Sequence, residues 1–509
     1  MPGDTDTNQP SLANKVRGGS LWSLAGTMGS QVLSFGIGVA LARLLAPADF
    51  GLIAASLLFL EIGSTVVGLS VVSTLVRMKS VSADDLDTGF VMQLVLAAVM
   101  TLVFILLSPL LASLMHDDAL QSVFAVLSFS LLILAFRGIP TVIARRELNF
   151  RLISFTNITE VVGFGICSVL LAAGGAGVWS LVFGRLAGRT VSILHLWLRT
   201  RWRPRLRFVQ SSYRQLLKPA IQFGSKEVLG DISRNVGYFF VGQTLGVDRL
   251  GIYSRAHYLM TLPVTQIALA VSSVLFPAFA HVQDDRQKLR RGVLKSTCML
   301  TLLIFPLLIG LQSVAEDFIP GVYGAKWVDA VAPLEVICLA GLFYAADAPA
   351  VSLINALGLL AEDLRRQMIH IVVIVTGVLV GSSWGLVGVA AAVSTAAAVY
   401  WLLLVRLLQT RVGLAIKDYA IACLPALLAC AAMALVIELC QRYWEQVLDL
   451  ARPSLLLLFV CVAIGACSYT LVVLLINRIF PVPLWRDCQR EYFELLGAKR
   501  FARGAVGRT

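Results

Sequence analysis

The sequence predicts an all-α protein that crosses a membrane many times, and three observations support this. Hydrophobic residues make up 58% of the 509 positions and charged residues only 14%, against roughly 25% charged residues in a soluble domain. Apolar runs of about 20 residues, the length that crosses about 30 Å of hydrocarbon, occur about fourteen times. Basic residues collect in every second connection between these runs.

Each apolar run is predicted to be an α-helix. Backbone polar groups that face lipid cannot be left unpaired, and a helix satisfies them within a single segment. The runs do not alternate apolar and polar residues with the period of barrel strands. The predicted fold class is therefore all-α, a polytopic membrane protein with about fourteen transmembrane helices.

The distribution of Lys and Arg predicts the orientation in the membrane. Basic residues in the even-numbered connections and in both tails outnumber those on the opposite side by about five to one, which marks the cytoplasmic face. Arg365 and Arg366 are assigned to one of these cytoplasmic connections, before a span that begins near 367. Both termini are therefore predicted to lie in the cytoplasm.

The net charge of +12 has the same explanation. The basic residues lie in short loops beside apolar runs, where topology and anionic lipid account for them, so nucleic acid is not expected as a partner. The densest of these loops is RTRWRPRLRF, residues 199–208. We interpret it as an interfacial anchor that contacts membrane lipids.

The cysteine and histidine content indicates neither a disulfide framework nor a metal site. Nine cysteines stand singly without a C-x-x-C pair, and five histidines are dispersed along the chain. The N-terminal residues are polar, and the first apolar run is followed by Arg43 without a small-residue cleavage signature. We therefore expect that no signal peptide is removed.

An internal repeat organises the predicted spans. ADFGLIA (48–54) aligns with DRLGIYS (248–254), which places Gly51 on Gly251. Later matches keep nearly the same offset of about 200 residues. They are Pro140 with Pro349 and Gly177 with Gly385. The first six spans and the next six are therefore predicted to be two copies of one unit.

The repeat predicts the domain organisation. Six spans are an even number, so both copies have the same orientation and are related by an axis along the membrane normal, as in alternating-access transporters. The substrate path is predicted to run between the copies. The predicted segments are a cytoplasmic N-terminal tail at 1–19, a six-helix bundle at 20–198, a basic cytoplasmic linker at 199–214, a second six-helix bundle at 215–408, two further transmembrane helices at 409–478 and a basic cytoplasmic tail at 479–509.

The seventh span carries an unusual number of charges, in the stretch KEVLGDISRN (226–235). Helical geometry of about 100° per residue gathers four polar side chains within about 60° on one face. They are Glu227, Asp231, Arg234 and Tyr238, with Asn235 at the edge and Lys226 on the flank. A charge at mid-bilayer costs roughly 2.5 to 3.5 kcal/mol, so this face must contact protein or water. An Asp231–Arg234 pair that only locks packing is the alternative.

Other predicted spans also carry charged residues within the membrane. Arg185 and Arg189 share one face of span 6, and Arg255 begins span 8. Paired guanidinium donors suit a phosphate. Glu61 in span 2 and Glu160 in span 5 suit coupling to a proton or a sodium ion. Arg137, in contrast, is placed near a helix end, where its side chain can reach the membrane surface.

Several stretches are similar to one known group of proteins. They are RGGSLWSLAGTMGSQVLSFGIGVALARLLAPADFGLIA (17–54), ARRELNFRLIS (144–154), WRPRLRF (202–208), SRNVGYFFVGQTLGVDRLGIYSRAHYLMTLP (233–263) and VLFPAFAHVQDDRQKLRRG (274–292). They resemble the polysaccharide exporters of the WzxC-like group. That group belongs to the superfamily that also holds multidrug extruders and the lipid II flippase.

The resemblance implies a flippase for an undecaprenyl-diphosphate-linked oligosaccharide in the bacterial inner membrane, for exopolysaccharide, capsule or O-antigen synthesis. It implies membrane lipids, a polysaccharide polymerase and export machinery as partners, and no resident cofactor. On depth and helical face, substrate-binding roles are expected for Arg185, Arg189, Arg234, Arg255, Lys226, Tyr238 and Asn235, and ion-coupling roles for Glu61, Glu160, Glu227 and Asp231.

Span 7 departs from the pattern of that group. An acid commonly follows its Ser-Arg-Asn and a basic residue follows the next Gly, whereas this sequence has Gly237 and Gln243 there. Coupling through that acid is therefore in doubt, and Asp231, one turn earlier, is the candidate that replaces it.

Two other functions stay open at this point. A multidrug or cation exporter of the same superfamily predicts an acid-rich cavity with few arginines, which the buried arginines contradict. A membrane-embedded glycan polymerase or ligase predicts a large outer loop with candidate catalytic Arg and His residues. The longest outer connections here are short, near 316–327 and 441–454. We therefore expect a protein that is not an enzyme.

Overall fold

A computed structural model describes residues 12–200, 202–446 and 455–479, together with Trp485 and Cys488. These residues form helices and short connections, without a strand among them, so the predicted all-α class is confirmed. In the first half the helices are α1 (Leu12–Leu44), α2 (Pro47–Ser64), α3 (Ser70–Arg77), α4 (Ala83–Met115), α5 (Ala119–Arg146), α6 (Phe150–Ala173), α7 (Val178–Arg199) and α8 (Gln210–Leu245).

The second half continues in the same way. Its helices are α9 (Val247–His281), α10 (Arg286–Ser313), the short α11 (Ala315–Phe318), α12 (Val331–Ala356), α13 (Leu360–Gly381), α14 (Gly385–Val412), α15 (Ile416–Gln446) and α16 (Leu455–Ile479). Nine stretches of the described residues are long and apolar enough to cross a membrane. Helices α7 and α8, which carry several of the charges singled out from the sequence, are not among the nine, so the count of fourteen spans stays a prediction.

The chain divides after Gly251 into two compact units, here called the N-terminal and C-terminal units. Helix α8 belongs to the N-terminal unit, where it packs against α2, α3 and α4. The main helix pairs of this unit are α6 with α7, α4 with α5 and α1 with α6. In the C-terminal unit α12 packs on α10 and α14, and α15 packs on α10 and α16. The segment boundaries drawn from the repeat stay predictions.

A π-helical turn joins α2 to α3 at Thr65–Leu69. Such turns widen the helix locally and free backbone groups from the regular ladder. The side chain of Gln93 on α4 donates to the carbonyl of Gly68 at 3.3 Å. The amide of Gln93 also lies against α5, because a Cβ at Gly138 would come 2.1 Å from its Oε1 atom. The turn is therefore supported from two neighbouring helices.

The basic segment after α7 is fixed on α4. Arg207 forms a 2.6 Å ion pair with Asp84, and the backbone N–H of Val209 donates to the hydroxyl of Thr88 at 3.1 Å. The ring of Trp202 packs edge-on against Phe90 with centroids 5.6 Å apart. These contacts give the predicted anchor a definite position on the N-terminal unit.

Arg366 does not lie in an exposed connection, so that prediction is wrong. Helix α13 begins at Leu360, before the predicted start near 367, and buries Arg366 to 5% exposure beside Asp363. The acid one turn away pairs with the guanidinium within the protein, so its charge gives no information about the membrane surface.

Two glycines that the repeat aligned make reciprocal contacts at the start of α2 and α9. A Cβ at Gly51 would come 1.9 Å from the carbonyl oxygen of Val247, and a Cβ at Gly251 would come 2.0 Å from that of Pro47. Both obstructing atoms are backbone, which cannot rotate away. Only glycine therefore allows these two first turns to touch.

Gly51→Ala and Gly251→Ala are each expected to lower the free energy of unfolding by about 1 to 3 kcal/mol, because the added methyl group forces the two backbones apart. Thermal unfolding of the purified protein in detergent measures the effect. Gly29→Ala in α1 is the matched control, since a Cβ at Gly29 meets no atom within 4 Å. Equal melting temperatures for all three variants would contradict the close packing.

Candidate functional site

The polar face of α8 meets the end of α2. Asp231 accepts hydrogen bonds from the hydroxyl of Thr65 and from Nη2 of Arg234, each at 2.5 Å. Thr65 is the first residue of the π-helical turn, which is how its hydroxyl reaches a neighbouring helix. The intrahelical Asp231–Arg234 pair that the sequence left open is present, yet the Arg234 side chain stays 64% exposed. The pair therefore leaves most of this guanidinium accessible.

Glu61 links α2 to two other helices. Its Oε2 atom accepts a hydrogen bond from the side-chain amide of Asn235 on α8 at 3.1 Å. Its charge also acts on Arg185 and Arg189 of α7. Glu61 and Asn235, which lie far apart in the chain, therefore belong to one polar network with the arginines of α7.

An ion pair that the sequence missed joins α5 to α6. Arg137 pairs with Glu160 through its Nη1 atom and donates from Nη2 to the side-chain oxygen of Asn157 at 2.9 Å. The interpretation of Arg137 as a residue near a helix end is wrong, because α5 continues to Arg146. One signal was available: Arg137 and Glu160 each lie about three helical turns from the turn that joins α5 to α6, which places opposite charges at equal depth.

The two arginines of α7 differ in what they contact. Arg189 donates from Nη1 to the carbonyl oxygen of Ser130 on α5 at 3.1 Å. Arg185 is half-buried and interacts with Glu61 and Glu160 only through their charges. Among the described residues, none forms a hydrogen bond or an ion pair with Arg185. Its five N–H donors are therefore available to a ligand.

Glycines bring α7 close to α6 at the level of these arginines. A Cβ at Gly184 would come 1.8 Å from the hydroxyl oxygen of Ser168, and a Cβ at Gly188 would come 2.6 Å from the carbonyl oxygen of Glu160. Small residues of this kind allow helix backbones to approach in a membrane. The close crossing holds Arg185 and Arg189 beside the acid of α6.

The remaining predicted residues lie on α8 and in the C-terminal unit. Glu227 is exposed on α8 and Tyr238 is half-buried further along it. The side chain of Lys226 lies outside the described residues. Arg255 belongs to the C-terminal unit, where its guanidinium lies over the ring of Tyr258 at 5.8 Å. Among the described residues there is also no group of three metal-binding side chains.

Long apolar helices, with a cluster of charges inside the N-terminal unit, define a polytopic α-helical membrane protein. The chain is similar in fold to the lipid II flippase MurJ in an inward closed conformation, with a TM-score of 0.74 and 18% identity, covering 91% of this chain and all of that one. It is also similar to an inward-facing multidrug MATE transporter of the MOP superfamily, with a TM-score of 0.61, 16% identity and coverage of 77% and 98%.

The chain belongs to the polysaccharide biosynthesis protein family, whose model matches residues 40–332. It is 26% identical over 356 residues to the lipopolysaccharide biosynthesis protein WzxC of Escherichia coli K12, covering 68% of this chain and 71% of that protein. A membrane protein in the cps region of Klebsiella pneumoniae is 25% identical over 472 residues, covering 91% and 95%. The succinoglycan biosynthesis transport protein ExoT of Rhizobium meliloti is 27% identical, covering 66% and 67%. The resemblance to the WzxC-like exporters is confirmed.

Proposed function

We propose that this protein is a flippase that moves an undecaprenyl-diphosphate-linked oligosaccharide across the bacterial inner membrane, for exopolysaccharide, capsule or O-antigen synthesis. The observation that carries the proposal is the free guanidinium of Arg185 within a charged network of the N-terminal unit. Membership of the polysaccharide biosynthesis family and the names of the relatives point to the same substrate class.

The charge balance of the network favours an anionic ligand over a cation. Arg137 neutralises Glu160, and Arg234 neutralises Asp231. Glu61 is then shared by the two arginines of α7. The network therefore has one more positive than negative charge. A cation exporter would need the opposite balance, whereas a diphosphate needs cations to replace its water.

Each residue has a distinct role in this proposal. Arg185 makes the first contact with the diphosphate, because its donors are unused, and Arg234 joins through its exposed guanidinium. Arg189 supports Arg185 from one turn away, and Asn235 contacts the sugar. The polyprenyl tail stays in lipid. The acids of the site pair with arginine, threonine or asparagine partners, so they suit gating rather than catalysis.

The proposed orientation has both termini in the cytoplasm, as the basic connections indicate. The headgroup is then loaded from the cytoplasmic leaflet and released to the periplasmic leaflet. A polysaccharide polymerase and the export machinery would receive it there. Coupling to a proton or sodium gradient supplies the direction of transport.

The sidedness of the lipid-linked oligosaccharide in a deletion strain tests the function. A membrane-impermeant glycosidase is applied to intact spheroplasts and to inverted vesicles, with the strain complemented by the wild-type gene as the control. We expect the oligosaccharide to accumulate on the cytoplasmic face. Accumulation on the periplasmic face would point to a polymerase or ligase, and no accumulation would point to an exporter of other compounds; either result would overturn the proposal.

A further inference from the structure

A second group of buried charges lies in the C-terminal unit, apart from the network described above. Asp363 and Arg366, in the first two turns of α13, form a 2.7 Å ion pair, and their side chains are only 8% and 6% exposed. Arg366 also lies over the ring of Tyr400 on α14 at 5.6 Å. Asp347, on α12, is 8% exposed and interacts electrostatically with both members of the pair.

Asp347 is the member of this group whose charge is not matched. Asp363 accepts a hydrogen bond from Nη2 of Arg366. Its carboxylate also lies 3.5 Å from Gln367 Nε2 and from the Tyr400 hydroxyl. Among the described residues, none forms a hydrogen bond or an ion pair with Asp347. The guanidinium of Arg366 therefore interacts with two carboxylates but forms an ion pair with only one of them, Asp363.

The groups that face Asp347 come from four helices. They are Tyr344 on its own helix, Asp363 and Arg366 on α13, Tyr400 on α14 and Tyr419 on α15. Apart from Arg366 none of them carries a positive charge. Leaving a second carboxylate ionised and unpaired in such a site is strongly unfavourable, so a carboxyl group there is neutralised or finds a partner.

The donors that could serve an ionised Asp347 are present but unused. The Nε and Nη1 atoms of Arg366 and the hydroxyl of Tyr419 are buried without a hydrogen-bond partner. Unpaired buried donors of this kind are unfavourable, and a second arrangement of the same side chains would relieve this penalty. Arg366 is thus paired with one acid, Asp363, and interacts electrostatically with a second, Asp347.

We propose that Asp347 is a proton-binding site that couples transport to proton movement. In the present arrangement Asp347 holds a proton and Arg366 pairs with Asp363. Release of the proton leaves a carboxylate that draws the free donors of Arg366 toward α12, which shifts α13 against α12. The arginine already supplies the positive charge, so a proton rather than a metal ion is the exchanged cation.

Proton binding to Asp347 is independent of the proposed function, and only its coupling to transport rests on that function. Infrared difference spectra of the purified full-length protein, recorded between acid and alkaline pH, test the binding directly. We expect a protonated carboxyl band at neutral pH in the wild-type protein that is missing in Asp347→Asn. Glu438→Gln, which removes an exposed acid of α15, is the control and should keep the band. Identical spectra for wild type and Asp347→Asn at neutral pH would overturn the proposal.

The coupling is tested by the sidedness assay in spheroplasts at several external pH values. The Asn variant imitates the protonated state, so we expect wild-type flipping to depend on the pH gradient and Asp347→Asn to lose that dependence. An unchanged gradient dependence in the variant would overturn the coupling. If the wild-type protein did not flip the oligosaccharide at all, the proposed function would fail, while the infrared result would still stand.

Discussion

An Arg185→Ala variant is expected to export about one hundredth as much glycan as the wild-type protein at equal protein level. Arg185 is the arginine of the N-terminal network whose donors no described residue uses. Two charge-assisted hydrogen bonds to a diphosphate contribute about 3 kcal/mol together, and each 1.4 kcal/mol is about a tenfold change. Complementation of the deletion strain, with polysaccharide quantified per cell, measures the loss.

A second variant separates charge from geometry at this position. Arg185→Lys keeps the positive charge but loses the paired donors, so we expect partial export. Arg199→Ala is the matched control, because Arg199 is an exposed arginine in the last turn of the same helix. Wild-type export from Arg185→Ala, or an equal loss from Arg199→Ala, would remove the diphosphate assignment.

Arg366→Ala is expected to lower the free energy of unfolding by about 3 to 5 kcal/mol. The substitution leaves the carboxylate of Asp363 buried without its cation, and this uncompensated charge is the main source of the loss. Chemical unfolding of the purified protein in detergent measures it. The double variant Asp363→Leu/Arg366→Leu removes both charges, so we expect it to be more stable than either single variant.

An exposed ion pair in the same unit provides the comparison. Glu438 and Arg442 pair on α15 with side chains 55% and 65% exposed. Arg442→Ala should therefore change the free energy of unfolding by about 0 to 1 kcal/mol. If Arg366→Ala and Arg442→Ala gave the same small change, the burial of the Asp363–Arg366 pair would be contradicted.

Features that depend on residues close together in the chain were predictable from the sequence. The helical class follows from apolar runs and the requirement that backbone groups be satisfied in lipid. The polar face of α8 follows from residue spacing, and so does the Asp231–Arg234 pair, since residues three apart face each other on a helix. Contacts between helices were not predictable in this way. Nothing in the spacing indicated that Thr65 would donate to Asp231, and only their equal distance from the α5–α6 turn linked Arg137 to Glu160.

The sequence by itself determined the all-α class, the approximate helices and the presence of charged residues inside them, because hydrophobic length and periodicity are local properties of the chain. The tertiary structure alone decided which charged residues are buried and which charges on different helices are paired. The sequence assigned Arg366 to a connection, whereas α13 buries it. The sequence assigned both Arg185 and Arg189 to the diphosphate, whereas the structure engages only Arg189, through the carbonyl of Ser130. Which charged side chains pair depends on which helices pack together and at what depth each side chain lies, and both are properties of the whole fold.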